Sequence, residues 1–229
     1  MTAANRMTAL GVVNEVQRKL GLDPTTDFSG KQSRMLMQLL NEVLAECHDY
    51  GNWPQYYEEV TVTASSSVRQ YSVRVSGREI HNLIEVSFNN AAGELQNRTV
   101  EEIRRLRRTG SSTGRPSQYC LIDTDASGNP RIEVYPQPGT TQNNQTFNIA
   151  VYVREPLLTT SDTAKELKFP GNLLVAGLYA KAMLDESGGE QSTQFQTAYA
   201  EYQRMTREAQ NRFVGDTEDV FRINPGGRR

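Results

Sequence analysis

The apolar residues of this 229-residue chain change their spacing twice, and that change constrains the fold more than any single motif. Near the N-terminus they recur at helical spacing, in the middle they alternate, and towards the C-terminus the helical spacing returns. MTALGVVNEVQRKL places Leu10, Val13, Val16 and Leu20 on one face, with Thr8 as N-cap and Gly21 as a stop. After the connector LDPTTDFSG, the stretch GKQSRMLMQLLNEVLAECHDYG presents a broad apolar face: Met35, Leu36, Leu39, Leu40, Val43, Leu44 and Cys47. A face that wide predicts a well-buried second helix.

From Asn52 the period is two. NWPQYYEEVTVTA, SSSVRQYSV and HNLIEVSFNNAAGELQNRTV read as short antiparallel strands, with NNAAG as a turn. TVEEIRRLRR interrupts them as a brief helix, since Thr99 and Glu102 have capping-box spacing and Val100, Ile103 and Leu106 share a face. SSTGRPS reads as a flexible linker, and YCLI, PRIEVY and TFNIAVYV as further strands. In the last of these Phe147, Ile149, Val151 and Val153 alternate strictly.

REPLLTTSDTAKELKFPG then reads as an extended crossing segment. NLLVAGLYAKAMLDESGG is a third long helix stopped by paired glycines. STQFQTAYAEYQRMTREAQNRF is a fourth, with Phe195, Tyr199, Tyr202, Met205, Ala209 and Phe213 along one face. The expected fold is α+β. N- and C-terminal helix pairs (1–52 and 171–213) form a four-helix bundle, and a small antiparallel β-domain with one short helix (53–170) is inserted between them. Residues 214–229 form an extended C-terminal tail without period.

The net charge of −2 gives no overall pull towards nucleic acid, although local patches remain able to bind it. Cys47 and Cys120 are the only cysteines, too few for a disulfide framework and wrongly spaced for zinc, so both are expected buried and reduced. The polar N-terminus does not read as a secretory signal, and no apolar run is long enough to span a membrane. Synthesis in a reducing cytoplasm follows as an expectation.

The order of elements carries a resemblance. Arg115-Pro116 precedes a strand holding Tyr119. A second strand, with Ile132, Val134 and Tyr135, ends in Pro136-Gln137-Pro138. A third strand holding Tyr152 leads through Leu157, Asp162, Leu167 and Pro170 to a helix with Ala176, Gly177, Tyr179 and Ala180. Trp53-Pro54 follows the second helix. This series resembles the head-to-tail adaptor (connector) proteins of tailed bacteriophages, in particular the tail tubular protein A-like adaptors of short-tailed phages. The match is strongest over 114–186. It departs where Lys165, Glu166 and Lys168 lengthen the approach to Pro170. The resemblance implies a dodecameric ring in the virion neck. It would dock beneath the portal protein through C-terminal tails, offer a platform to a downstream tail or nozzle protein, and let double-stranded DNA pass without sequence recognition. It also implies no catalytic role.

Read physically, Pro136 and Pro138 end a strand, because proline donates nothing to a ladder. They make either a rigid turn or a fixed loop at an interface. Val220, Phe221 and Ile223 are apolar residues in an unpatterned tail that is acidic at Asp216, Glu218 and Asp219 and basic at Arg228 and Arg229. That favours a segment that orders on a partner over a frayed end. Arg98, Arg104, Arg105, Arg107, Arg108 and Arg115 form the densest basic patch. It reads as a solvated face paired with Glu101 and Glu102, as a contact between subunits, or as a lining for passing DNA.

His48 and His81 suggest no catalytic arrangement, and Cys47 and His48 lie on different faces of their helix. Asp123 and Asp125 in DTDASGN faintly resemble a calcium loop, without the glutamate at its twelfth position. There is no phosphate-loop or dinucleotide fingerprint. No catalytic, cofactor-binding or metal-ligating residue is therefore expected. Two other functions stand beside the adaptor: a nucleic-acid-binding accessory protein using the arginine patch, and a virion-associated cell-wall hydrolase, which would need paired carboxylates in a cleft.

Overall fold

A computed structural model describes residues 6–89, 93–110, 113–186, 189 and 191–214, with the side chains of 213 and 214 left out. The predicted tail, the middle of the NNAAG turn, the first glycine of the pair at 188–189 and the side chain of Phe213 lie outside the described residues. Contacts divide the chain into a helical unit, 1–55 with 157–229, and a β-unit, 56–156.

The helical unit holds α1 (Ala9–Lys19), α2 (Lys31–Asp49), α4 (Gly171–Glu186) and α5 (Thr193–Ala209). Thr8 caps α1, its hydroxyl accepting from Gly11 N–H at 3.0 Å, and Gly21 follows the helix at φ +74°. Ser192 caps α5 in the same way at 3.1 Å. Burial differs in detail from the expected faces. Val12 and Met37 are buried, whereas Leu10, Leu20, Met35 and Leu39 are only half-buried.

The expected four-helix bundle is not the arrangement found. In such a bundle each helix gives one stripe to a shared core. Here α4 is buried along Leu173, Leu174, Val175, Ala176, Gly177 and Leu178 in succession, all round its axis. α1, α2 and α5 each pack against it. From Leu173 to Leu178 consecutive apolar residues leave no polar face, so this part of α4 takes the centre and the amphipathic helices take the outside.

The crossing segment, expected with the β-domain, groups with the helices. Asn41 on α2 clamps Leu158, accepting from its N–H at 2.7 Å and donating to its carbonyl at 3.1 Å. Leu167 N–H donates to Met7 O and Ala9 N–H to Lys165 O, at 3.0 and 2.9 Å. Phe169 stands edge-on to Trp53 and His48, at 5.1 and 4.9 Å between ring centres.

Among its described residues the β-unit contains nine strands: β1 (Tyr57–Thr63), β2 (Gln70–Ser72), β3 (Ile80–Phe88), β4 (Gln96–Asn97), β5 (Thr113–Gly114), β6 (Gln118–Thr124), β7 (Pro130–Tyr135), β8 (Gln137–Pro138) and β9 (Thr146–Val153). One short helix, α3 (Val100–Thr109), interrupts them. β9 is central in a three-stranded sheet, β1-β9-β3, and its alternating Phe147, Ile149, Val151 and Val153 are fully buried. A four-stranded sheet runs β2-β7-β6-β4. The Phe147 ring lies 4.9 Å from Phe88 of the first sheet and 4.9 Å from Tyr71 of the second, joining both in one core.

The domain is not purely antiparallel: β4 runs parallel to β6, and β5 parallel to β8. The stretch read as a flexible linker contains β5, and the Pro136–Pro138 turn contains β8. The two hold each other, and Pro138 O also accepts from Ser67 N–H at 3.1 Å.

Candidate interaction surfaces

α3 starts as its sequence dictates. Thr99 Oγ1 accepts from Glu102 N–H at 3.3 Å, and Glu102 Oε2 accepts from Thr99 N–H at 2.9 Å. Only Ile103 is buried, against β6, so the arginines of RRLRR point away from the core. The structure separates the six arginines of the predicted patch. Arg98 stays beside Glu102 at 3.7 Å and donates to Gln96 at 2.8 Å. Arg115 lines a different recess, with Glu94 and Gln96. Arg105 is exposed.

Arg104, Arg107 and Arg108 line a groove of about 630 Å³ with Arg69, Tyr135 and Gln137. Arg107 is held by buried Glu133 on β7, whose carboxylate lies 2.9 Å from its Nη1. Arg69 Nε donates to Gln137 Oε1 at 2.6 Å, and the Tyr135 hydroxyl donates towards Gly110 O at 3.3 Å. Arg104 and Arg108 make no ion pair among the described residues. Of the expected pairing of this face with Glu101 and Glu102, the direct ion pair among the described residues is Arg98 with Glu102, and Arg105 acts on the same carboxylate from farther away. A concave cluster of guanidinium groups with two left uncompensated is suited to carboxylate or phosphate oxygens. Arg69, which sequence reasoning missed, reaches this groove from the loop before β2, well away from the arginine-rich helix in sequence.

A second groove, of about 970 Å³, lies in the helical unit between α1, α4 and α5. Along α4 it shows Asn172, Val175, Tyr179, Met183 and Glu186, which share one helical face. Met7, Leu20, Ala198 and Met205 face it from the flanking segments, and Lys19 Nζ sits 5.6 Å from the centre of the Tyr179 ring. The sequence reading of α4 as one helix of a bundle gave no sign of this partly open face.

Cys47 and Cys120 are free thiols, both buried. Burial pushes the Cys47 thiol up to about 12, only partly eased by the Tyr202 hydroxyl 3.9 Å away. His48 is buried against Phe169, and His81 Nδ1 accepts from Arg154 Nε at 3.1 Å. Asp123 pairs with Arg131 at 2.6 Å. Asp125 Oδ1 accepts from the N–H groups of Ser127 and Asn129, at 2.9 and 3.0 Å, while Arg74 lies 2.9 Å from Oδ2. The lone pairs of Asp125 are thus spent on the DTDASGN turn and on Arg74. Among the described residues, no group of three His, Cys, Asp or Glu side chains could hold a metal ion. None of their helices is long and apolar enough to cross a membrane.

One acidic group was not anticipated. Glu59 on β1 and Glu85 on β3 both lie opposite Ala150 on β9, and Glu94 is near Glu85. Burial first, then Glu94 and Glu59, push the Glu85 carboxyl above its usual range.

No curated protein matches this sequence. A family model described as SU10 adaptor protein matches residues 7–226, covering both units, and the chain belongs to that family of phage adaptors.

Proposed function

We propose that the chain is a structural head-to-tail adaptor of a phage neck. It assembles as an oligomeric ring, a dodecamer, around the DNA exit channel and joins the portal protein to the downstream tail or nozzle protein. The family match over 7–226 carries this reading. The narrower likeness to tail tubular protein A belongs to the same proposal. The protein is made in the host cytoplasm and works in the virion without a catalytic role. Its C-terminal tail docks on the portal, where Val220, Phe221 and Ile223 gain a partner surface. A heterologous ring needs one face of each subunit to complement the next. The uncompensated arginines of the β-unit groove suit such a contact with acidic groups of a neighbour.

Quantitative mass spectrometry of purified particles tests the proposal. Copy numbers near those of the portal protein are expected, and absence from mature particles would overturn it. A chain ended after Phe213 is expected to fold normally and fail to attach to portal-bearing heads. Normal attachment would remove the tail from the mechanism.

Arg104 and Arg108 favour a second reading, in which the groove contacts the phosphates of DNA. That reading requires salt-dependent duplex binding that weakens when Arg104, Arg105, Arg107 and Arg108 are neutralised. Binding unaffected by those changes would exclude it.

A further inference from the structure

We infer that the groove between α1, α4 and α5 is a docking site for the chain's own segment Val220–Ile223, occupied while the subunit is free. The groove exists because the three surrounding helices do not fully enclose the largely apolar α4. Tyr179 and Met183 of α4 remain half-buried there, as do Met7, Leu20 and Met205 around them. Methionine adapts its shape to an incoming side chain, so three methionines make the surface accommodating.

Chemistry and reach identify the occupant. Residues 215–229 follow the last described residue of the segment that continues α5, and α5 itself forms one wall of the groove. Val220, Phe221 and Ile223 place three apolar side chains within four positions of an otherwise polar stretch, with Arg222 among them. On the rim Glu15 and Glu201 already pair with Arg18 and Arg204, and Glu186 is the carboxylate left to meet Arg222. Met205 lies about 14 Å along the helical path from Val214 at ~1.5 Å per residue. Residues 215–219 span up to about 17 Å when extended, enough to return Val220 to the groove. A segment tethered by so short a linker has an effective concentration in the millimolar range, above that of a neighbour's tail in free solution.

The inference rests on the tail reading in one consequence only. The same residues are proposed to dock on the portal, so portal binding becomes an exchange of one apolar partner for another. The test uses the free protein and needs no portal, so its failure is separate from failure of portal docking.

The experiment is methyl NMR of ¹³C-methyl-methionine full-length protein, compared with Phe221→Glu. Five of the six methionines divide well: Met7, Met183 and Met205 line the groove, and Met35 and Met37 lie on α2. In the unaltered chain the three groove methyls are expected to be displaced from their positions in the variant, with those of Met35 and Met37 unchanged. A synthetic peptide of residues 215–229, added to the variant, is expected to restore the displaced positions in a saturable titration. Identical spectra for the two proteins, or a peptide that moves no groove methyl, would overturn the inference. Displacement that vanishes on dilution would also overturn it, because the segment would then come from a second copy.

Discussion

Two carboxylates of the β-unit are driven in opposite directions, and each makes a prediction about pH. Burial opposes ionisation of Asp125, but N–H groups of Asn129 and Ser127, with Arg74, outweigh it and hold its carboxyl below the usual range. A depressed folded-state value adds stability above the unfolded range, near pH ~4, and that stability is lost as the pH falls. Asp125→Asn is therefore expected to lower the urea midpoint at pH 7, with the difference shrinking below pH ~4. Glu85 is raised, so its cost is absent below the unfolded value and fully present once the pH exceeds the folded one. Glu85→Gln is expected to raise the midpoint at pH 7 and leave it unchanged in acid. The arginine groove gives a third prediction at this scale. Arg107→Ala leaves buried Glu133 without its ion pair and should cost about 1–3 kcal/mol, whereas Arg108→Ala should stay within about 0.5 kcal/mol in the same urea titration. Equal losses would show that the groove arginines are equivalent. The Thr99 cap was open to sequence reading because its partner lies three residues away. The Arg107–Glu133 pair was not, because 26 residues separate its members and only the sheet brings them together.

Among the elements, α4 shows how period alone misleads. An apolar run without a stripe was assigned a place in a four-helix bundle, although a helix apolar all round belongs inside its neighbours. Gly177 marks the close approach this requires. A Cβ there would lie 2.8 Å from both the Tyr202 ring and the Val43 methyl. Alanine would gain about 1 kcal/mol in helix propensity, but overpacking costs about 1–3 kcal/mol. Gly177→Ala is thus expected to be destabilising, by thermal unfolding, and a stabilised variant would mean that α2 and α5 separate freely. The short parallel pairs, β4 with β6 and β5 with β8, escaped the sequence because two-residue strands have no period to read. In contrast β9, with four fully buried alternating residues, was legible in full.

For the molecule as a whole, the β-unit is one continuous insertion whose ends meet. β1 and β9 are antiparallel neighbours, with Tyr57 opposite Tyr152. Residues 56–156 carry their own core around Phe147 and are expected to fold as an isolated fragment with a single cooperative thermal transition. A fragment lacking that transition would make the helical unit necessary for the sheets. By itself the sequence determined the helical ends, the alternating middle, the capped short helix and the series of residues that marks an adaptor. These depend on the spacing of neighbouring residues, and spacing is local. Tertiary structure alone decided that α4 sits at the centre, that the crossing segment runs with α1 and α2, and which arginines share a groove. Those outcomes depend on which apolar faces can be buried together and on charges far apart in the chain, and the covalent order does not state either.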